Sequence, residues 1–298
     1  MRTLPSYVLI TPARNEAQFI ELTLKSVVAQ TLRPCKWVIV SDGSTDGTDD
    51  IVSKYTAAHP WIELVRQPER EQRNFAGKAM AFGAGYSRLH DLEYQVIGNL
   101  DADISFDANY FSFLLSKFAE DPQLGVAGTP YREGNATYDY RFNSLEHVSG
   151  ACQMFRRECF EAIGGYRQVK SGGIDLIAVL TARSRGWRTQ TFTEKFCSHH
   201  RSMGSAQHTG FRERIHRGRM DYLLGSHPGW EVFRSIYQMK KKPYFIGGLL
   251  IMGGYLWTML SGHEKTMPAE LIPLRRSEQM QRLKSVFERA FRNLVTHG

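Results

Sequence analysis

The stretch GNLDADISFD, residues 98 to 107, ends an apolar run on Asp101 and Asp103. Two carboxylates two positions apart at a strand end repel one another unless a cation lies between them. In an enzyme of nucleotides that cation is Mg2+ or Mn2+, held together with the substrate's phosphates. An isolated D-x-D is more often a solvated turn or a helix cap, since Asp is common in both, so the rest of the chain has to decide. SDGSTDGT is a second polar string: Asp42 closes a strand, and Gly43, Gly47 and the small hydroxyl residues allow a tight turn that aims amides and a carboxylate into one crevice. A carboxylate there can accept hydrogen bonds from a base or a ribose. The string reads equally as an Asp-Gly turn with Ser44 or Thr45 capping the next helix. The third, CSHHRSMGSAQH, carries His199, His200 and Arg201. Adjacent histidines on extended chain point opposite ways, so at most one of the two faces a common site, and a surface loop is the competing reading.

These side chains need a frame. YVLITPARNE and KWVIVSDGSTDGT are short β-branched runs ending in turn residues, and EAQFIELTLKSVVAQ between them has apolar positions at helical spacing, which reads as βαβ. The pattern continues with a helix over residues 46–58, a strand at WIELVRQ, a helix across GKAMAFGAGYSRLH and a strand at YQVIGNL. Strands alternating with helices predict a mostly parallel sheet with helices on both faces. Ligands of such sheets sit at the carboxyl ends of the strands, where Pro12 to Glu16, Asp42 to Asp46 and Asp101 to Asp103 all fall, so the carboxylates share one rim. From about residue 105 the order becomes α+β: a helix over DANYFSFLLSKFAED, a strand at GVAGTP, then GACQMFRRECFEAIGGY. After about residue 205 the chain turns helical and basic, without repeats or low-complexity linkers.

With 298 residues, 42% of them hydrophobic and 23% charged, the chain has the composition of a soluble globular protein, which argues against wholesale disorder and against a polytopic membrane protein. The formal charge of +8 points to an anionic partner: nucleic acid, lipid headgroups or a nucleotide. The late arginines follow no nucleic-acid recognition module, so no nucleic-acid partner is expected. Four cysteines in no paired or zinc-like spacing argue against disulfides and structural zinc and fit a reduced compartment. The amino-terminal apolar run is too short for a signal peptide, which predicts a cytoplasmic protein. TPARNE is not a G-x-G-x-x-G, and FAGKAM lacks the earlier glycine and the Ser/Thr of a Walker loop, so dinucleotide and P-loop sites are not expected. Residues 244–260, YFIGGLLIMGGYLWTML, hold no charge and four glycines. They read as a buried helical hairpin, as an interfacial or re-entrant membrane element, or as a single span, and the preceding lysines with Tyr255 and Trp257 add weight to a membrane surface at the inner face.

TPARNE, VSDGSTDGT, AGKAMAFGAG, NLDAD, GACQMFRRECFEAIGGY and GGIDLIAVLTARSRGW, in this order over residues 7 to 187, resemble the family 2 glycosyltransferases of the GT-A fold. The resemblance implies a GT-A catalytic domain over 1–205, Rossmann-like and mostly parallel, followed by a helical, basic extension over 206–298. It places Pro12, Asn15, Glu16 and Asp42 in a nucleoside pocket, with Asp42 on the base, usually uracil, and Lys78 near the diphosphate. Asp101 would lie near ribose and metal, and Asp103 would bind Mg2+ or Mn2+ directly. One of His199 and His200 would complete the metal site, and Arg201 would hold a diphosphate. Counting back from Gly186 and Trp187 puts Asp175 in the place of the family's general base, with Ile174 where Glu is common; a helix N-cap is the other reading of Asp175. The implied reaction is metal-dependent, inverting transfer of a single sugar from a nucleotide diphosphate, a UDP-sugar by the family's habit, to a hydroxyl acceptor such as a lipid-linked or polysaccharide intermediate. Transfer is expected to be single because the Gln/Arg plus Trp signature of processive synthases is not evident. The Ile174 departure leaves a second expectation, a non-catalytic nucleotide-binding scaffold of a membrane assembly. Oligomeric state leaves no mark on the sequence.

Overall fold

A computed structural model describes residues 3–69, 75–133, 144–169, 171–201 and 210–296. The chain divides into two compact units, Met1–Ser202 and Met203–Gly298. The boundary expected after residue 205 falls in segment 202–209, outside the described residues.

The first unit runs β1 (Tyr7–Ala13), α1 (Ile20–Val28), β2 (Lys36–Asp42), α2 (Thr48–Ala58), β3 (Ile62–Gln67), α3 (Phe75–Tyr86), β4 (Val96–Leu100) and β5 (Ile104–Ser105). It continues with α4 (Tyr110–Glu120), β6 (Leu124–Gly128), β7 (Tyr131–Arg132), β8 (Cys152–Arg156), α5 (Arg157–Ile163), α6 (Ile174–Ser184), β9 (Arg188–Thr191) and β10 (Cys197–His199). Seven strands form one sheet in the order β3-β2-β1-β4-β8-β6-β9. Its neighbours pair in parallel except where β8 lies antiparallel to β4 and β6. This is the mostly parallel, helix-flanked α/β sheet expected from the sequence.

Strand side chains alternate between two cores. Leu9, Trp37 and Ile39 enter one, with Ile20, Leu24 and Leu114 from the helices on that face. Val8, Ile10, Val38 and Val40 enter the other, with Phe82, Phe160 and Val179. Burial on both faces explains why β1 and β2 read as continuous β-branched runs instead of alternating polar and apolar residues. Trp37 is fully buried, and its indole Nε1 donates to Thr11 Oγ1 at 2.9 Å, so the polar edge of the largest core side chain is satisfied.

Some boundaries shift for local reasons. The helix expected from residue 46 begins at Thr48, because Gly47 is left-handed (φ 88°) and Asp46 Oδ1 accepts from the Thr48 amide. A second sheet, ordered β5-β10-β7, was not legible in the sequence. Its strands are two or three residues long and come from three distant segments.

The second unit holds α7 (Phe211–Leu223), α8 (Pro228–Met239), α9 (Ile246–Leu260) and α10 (Ile272–Thr296). The hairpin reading of residues 244–260 is corrected: Ile246–Leu260 is one continuous helix. Its glycines do not break it because two of them are pressed against neighbouring backbone, where a Cβ at Gly248 would lie 2.2 Å from Ser235 O and one at Gly254 2.1 Å from Ile215 O. Among the described residues no helix is long and apolar enough to cross a membrane.

An ionic cluster is sealed among these helices. Arg234 Nη1 donates to Asp221 Oδ2, Arg275 Nη2 lies 4.0 Å from Asp221 Oδ1, and Glu231 is wholly buried nearby with neither carboxylate oxygen hydrogen-bonded among the described residues. Burial and the Asp221 charge push the Glu231 carboxyl up to about 8, against the pull of Arg234 and Arg275.

Candidate functional site

In the large sheet, β1 has β2 on one side and β4 on the other, so the strand order reverses at β1 and a crevice opens at the carboxyl ends of these three strands. The segments after β1, β2 and β4 line it. Pro12 is still in β1, opposite Val40 of β2. Asn15, at φ 56°, turns the chain off the strand. Its Oδ1 accepts from the Thr45 amide at 2.8 Å while its own amide donates to Ser44 Oγ at 3.1 Å. Glu16 N donates to Thr48 Oγ1 at 2.8 Å, and Ala17 N to Asp46 Oδ2 at 3.0 Å. Burial raises the Asp46 pKa, but the Thr48 hydroxyl and the Ala17 and Thr48 amides hold the carboxyl below the usual carboxylate range. The two loops are therefore one cross-linked wall. Asp42 is buried at the end of β2, its Oδ2 3.9 Å from Arg14 Nη1. Gly43 (φ 65°) follows it because a Cβ there would meet Glu69 Cα at 2.4 Å.

Beyond β4 the carboxylates meet a histidine. Asp101, Asp103 and His199 each offer one ligand atom, all within 4.8 Å of one another. The small sheet brings His199 there: β10 runs antiparallel to β5 with His199 opposite Ile104, the residue after Asp103. His199 Nε2 is 3.5 Å from Asp103 Oδ1, and Glu133 Oε1 stands 3.6 Å from its Nδ1. His200 goes the other way: its ring Nε2 lies 2.8 Å from Ser105 Oγ, and the residue is exposed. Only its amide is engaged at the rim, donating to Asp103 O at 2.9 Å.

Two cations neutralise this acidic rim. Lys78 Nζ donates to Asp101 Oδ1 and reaches Gly150 O at 3.4 Å. Burial works against the Lys78 ammonium, but Asp101, with Asp175 and Asp103 further off, outweighs it and raises the lysine pKa. Burial likewise pushes the Asp101 carboxyl up, an effect that Lys78 only partly offsets and Asp103 reinforces. Arg201 Nη2 donates to Glu16 Oε2 and its Nε lies 3.5 Å from Asp103 Oδ2, so this guanidinium bridges the first loop and the carboxylate–histidine cluster. Glu16 is thus on the rim as an ion-pair partner of Arg201.

Asp175 sits in the first turn of α6, where the helix dipole favours a carboxylate. It is not the N-cap: that position is Gly173, left-handed at φ 82°. Asp175 packs against the bare backbone of Gly150, where a Cβ would lie 3.0 Å from Asp175 Cβ and 3.1 Å from its Oδ2. Gly150 O also accepts from Asn99 Nδ2 at 2.9 Å. One glycine therefore adjoins both Lys78 and Asp175. Underneath, Tyr166 OH donates to Gln153 Oε1 at 2.6 Å, and Gln153 Nε2 reaches Asp175 O at 3.4 Å.

The crevice thus gathers Pro12, Asn15, Glu16, Asp42, Lys78, Asp101, Asp103, Asp175, His199 and Arg201 around the ends of β1, β2 and β4, and leaves the His200 ring outside. Sequence reasoning placed Asp46 on the rim without its bonding role and missed Glu133, Asn99 and Gly150; Glu133 owes its place to strand pairings too short to read. The donor set suits a hard divalent cation: two carboxylates with one imidazole favour Mn2+ or Mg2+ over thiolate-seeking metals, and the imidazole's remote nitrogen already faces the Glu133 carboxylate.

The family described as "Glycosyl transferase family 2" matches residues 8–207. A poly-beta-1,6-N-acetyl-D-glucosamine synthase of Staphylococcus aureus (strain COL) is 29% identical over 136 residues, which cover 45% of this chain and 31% of that protein. The match thus spans about a third of that curated relative's length. Among solved structures, a mannosyltransferase, PcManGT, from Pyrobaculum calidifontis in complex with GDP-Man and Mn2+ superimposes with a TM-score of 0.63 at 18% identity, over 88% of this chain and 89% of that one. Residues 1–349 of S. aureus TarS, in complex with UDP-GlcNAc, give a TM-score of 0.54 at 12% identity, over 93% and 81%. At these identities the two structures testify to the fold.

Proposed function

The chain belongs to the glycosyl transferase family 2, and from that premise we propose that it moves a single sugar from a nucleotide diphosphate donor, a UDP-sugar, onto a hydroxyl of a lipid-linked or polysaccharide intermediate, with inversion at the anomeric carbon. The observation that carries this reading is the joint placement of the Asp101, Asp103 and His199 cluster and of Asp175 on either side of the Lys78 and Gly150 junction. Asp103, Asp101 and His199 would hold Mn2+ or Mg2+, which supplies positive charge to the leaving diphosphate.

The chain's own groups do the rest. Asp42 accepts from the base at the closed end of the β2 wall, and the stitched Asn15 and Glu16 loop keeps that wall rigid. Lys78 and Arg201, already aimed at the carboxylates, lend charge to the diphosphate oxygens. Because these donors are held before the donor sugar arrives, little reorganisation is left to the reaction itself. Asp175 accepts the proton of the acceptor hydroxyl as its oxygen bonds to C1 from the face opposite the departing diphosphate. Gly150, having no side chain, leaves its carboxylate room to do so.

The test is a panel of UDP- and GDP-sugars with Mn2+ and glycan acceptors, read by product formation and by donor-induced thermal stabilisation. Asp175→Asn is expected to keep donor stabilisation and lose transfer. Full turnover by that variant would remove the base from Asp175. A product series of many lengths from one acceptor would replace single transfer by polymerisation.

A further inference from the structure

Helix α9 is built inside out. Its buried face is Gly247, Gly248, Ile251, Gly254, Tyr255 and Thr258. Against it, a Cβ on Gly218 of α7 would lie 1.8 Å from Ile251 O, and Gly248 and Gly254 are as tightly pressed on α8 and α7. Apart from Ile251 and Tyr255, the largest apolar side chains point away: Leu249, Trp257 and Leu260 are 61%, 75% and 79% exposed, with Ile246 and Leu256 on the same side. At about 100° per residue, positions 246, 249, 253, 256, 257 and 260 make one continuous stripe roughly 100° wide. A helix surrounded by water places its large apolar residues inward. Close backbone packing through small residues, with large apolar groups outward, belongs to helices whose surrounding solvent is apolar.

Length and charge say which apolar solvent, and how it is met. Fifteen residues span about 22 Å at 1.5 Å per residue, less than the roughly 30 Å of a bilayer's hydrocarbon core. The stripe therefore lies along an interface. Immediately ahead of it come Lys240, Lys241 and Lys242, all exposed, then exposed Tyr244 and Phe245. Residues 203–298 carry fifteen Lys and Arg against seven Asp and Glu, so the entire formal excess of +8 belongs to this unit and the first 202 residues balance.

We propose that the α9 stripe, with Lys240 to Lys242 at its head, docks in the plane of an anionic lipid bilayer. The outer side chains enter the acyl boundary, Trp257 and Tyr244 sit at headgroup level, and the lysines meet lipid phosphates. This docking rests on the second unit alone and is independent of the transfer reaction.

The experiment is flotation of the full-length chain with vesicles of phosphatidylcholine, with and without about a third phosphatidylglycerol, at low and high salt. Binding is expected only to the anionic vesicles, with a blue shift of tryptophan emission that Trp257→Leu diminishes. Replacing Lys240, Lys241 and Lys242 by Gln should weaken partitioning about fivefold per lysine removed. Leu249→Ser with Leu260→Ser should release the protein from vesicles while the far-ultraviolet circular dichroism spectrum and the urea unfolding midpoint, read on the same sample, stay as in the parent and report an intact fold. Failure of the parent chain to float with anionic vesicles at low salt would overturn the proposal. So would a concentration-dependent dimer that the serine variant abolishes without any change in flotation, since the stripe would then cover itself with a second copy.

Discussion

Two clusters of carboxylates and cations divide this molecule's chemistry between them. Asp101 and Asp103 stand at the rim of the sheet, with Lys78, Arg201 and His199 about them. Asp221 and Glu231 lie sealed among helices, with Arg234 and Arg275. The compositions are alike, and what differs is access. A rim cluster can borrow positive charge from solution, so its own cations need only moderate it and can be lent to a ligand. A sealed cluster must be neutralised from within, by two guanidiniums and, on Glu231, by a retained proton. The first arrangement suits catalysis and the second suits holding helices in register.

The comparison is sharpest if each cluster loses one carboxylate. Asp103→Ala should cost about a thousandfold in kcat/KM and abolish Mn2+-dependent stabilisation by the donor, with unfolding in urea unchanged. Asp221→Ala should leave two buried guanidiniums without their counter-ion and cost about 3–5 kcal/mol of stability in the same urea titration, with activity of the folded fraction intact. If Asp103→Ala unfolds the protein, or Asp221→Ala abolishes donor binding in folded protein, the division of labour is wrong.

A smaller effect probes how tightly the rim is packed. Gly150→Ala puts a methyl 3.0 Å from Asp175 Cβ, and displacing the proposed base by a fraction of an ångström should lower kcat by about 10- to 100-fold with donor binding retained. Steady-state kinetics at saturating donor will show it, and an unchanged kcat would detach Gly150 from the base.

The mildest test concerns pH. With its folded pKa raised to about 8, Glu231 keeps its proton in the folded state over a range in which the unfolded chain has lost it. Its contribution is fully present below the unfolded value near 4.5 and is lost as pH rises through about 8, at up to about 1.4 kcal/mol per pH unit. Unfolding midpoints measured from pH 5 to 9 should fall accordingly, and Glu231→Gln should flatten that decline.

Much of the first unit was legible because its strands are buried on both faces and end in turn residues, which marks both their type and the rim. The same logic exposed Asp42 and the D-x-D pair. What stayed hidden depends on pairings too short to carry a periodic signal. Nothing in CSHH distinguishes the two histidines until β10 is set against β5, and then His199 enters the cluster while His200 turns to Ser105. Glycines misled in the second unit: in residues 244–260 they looked like hairpin breakers, whereas their lack of a side chain lets three helices touch. Ile174 reads as a departure from the family's pattern, yet its side chain is buried, so apolar packing occupies that position.

The β5–β10 pairing also sets a schedule. Asp101 and Asp103 are synthesised nearly a hundred residues before His199, and the imidazole reaches them only after the last strand of the first unit has zipped onto β5. A ribosome-bound chain stopped before residue 199 carries both carboxylates but lacks the imidazole that would complete the proposed cation site. Cation selectivity should therefore appear late in biosynthesis, as one of the final acts of the unit's maturation.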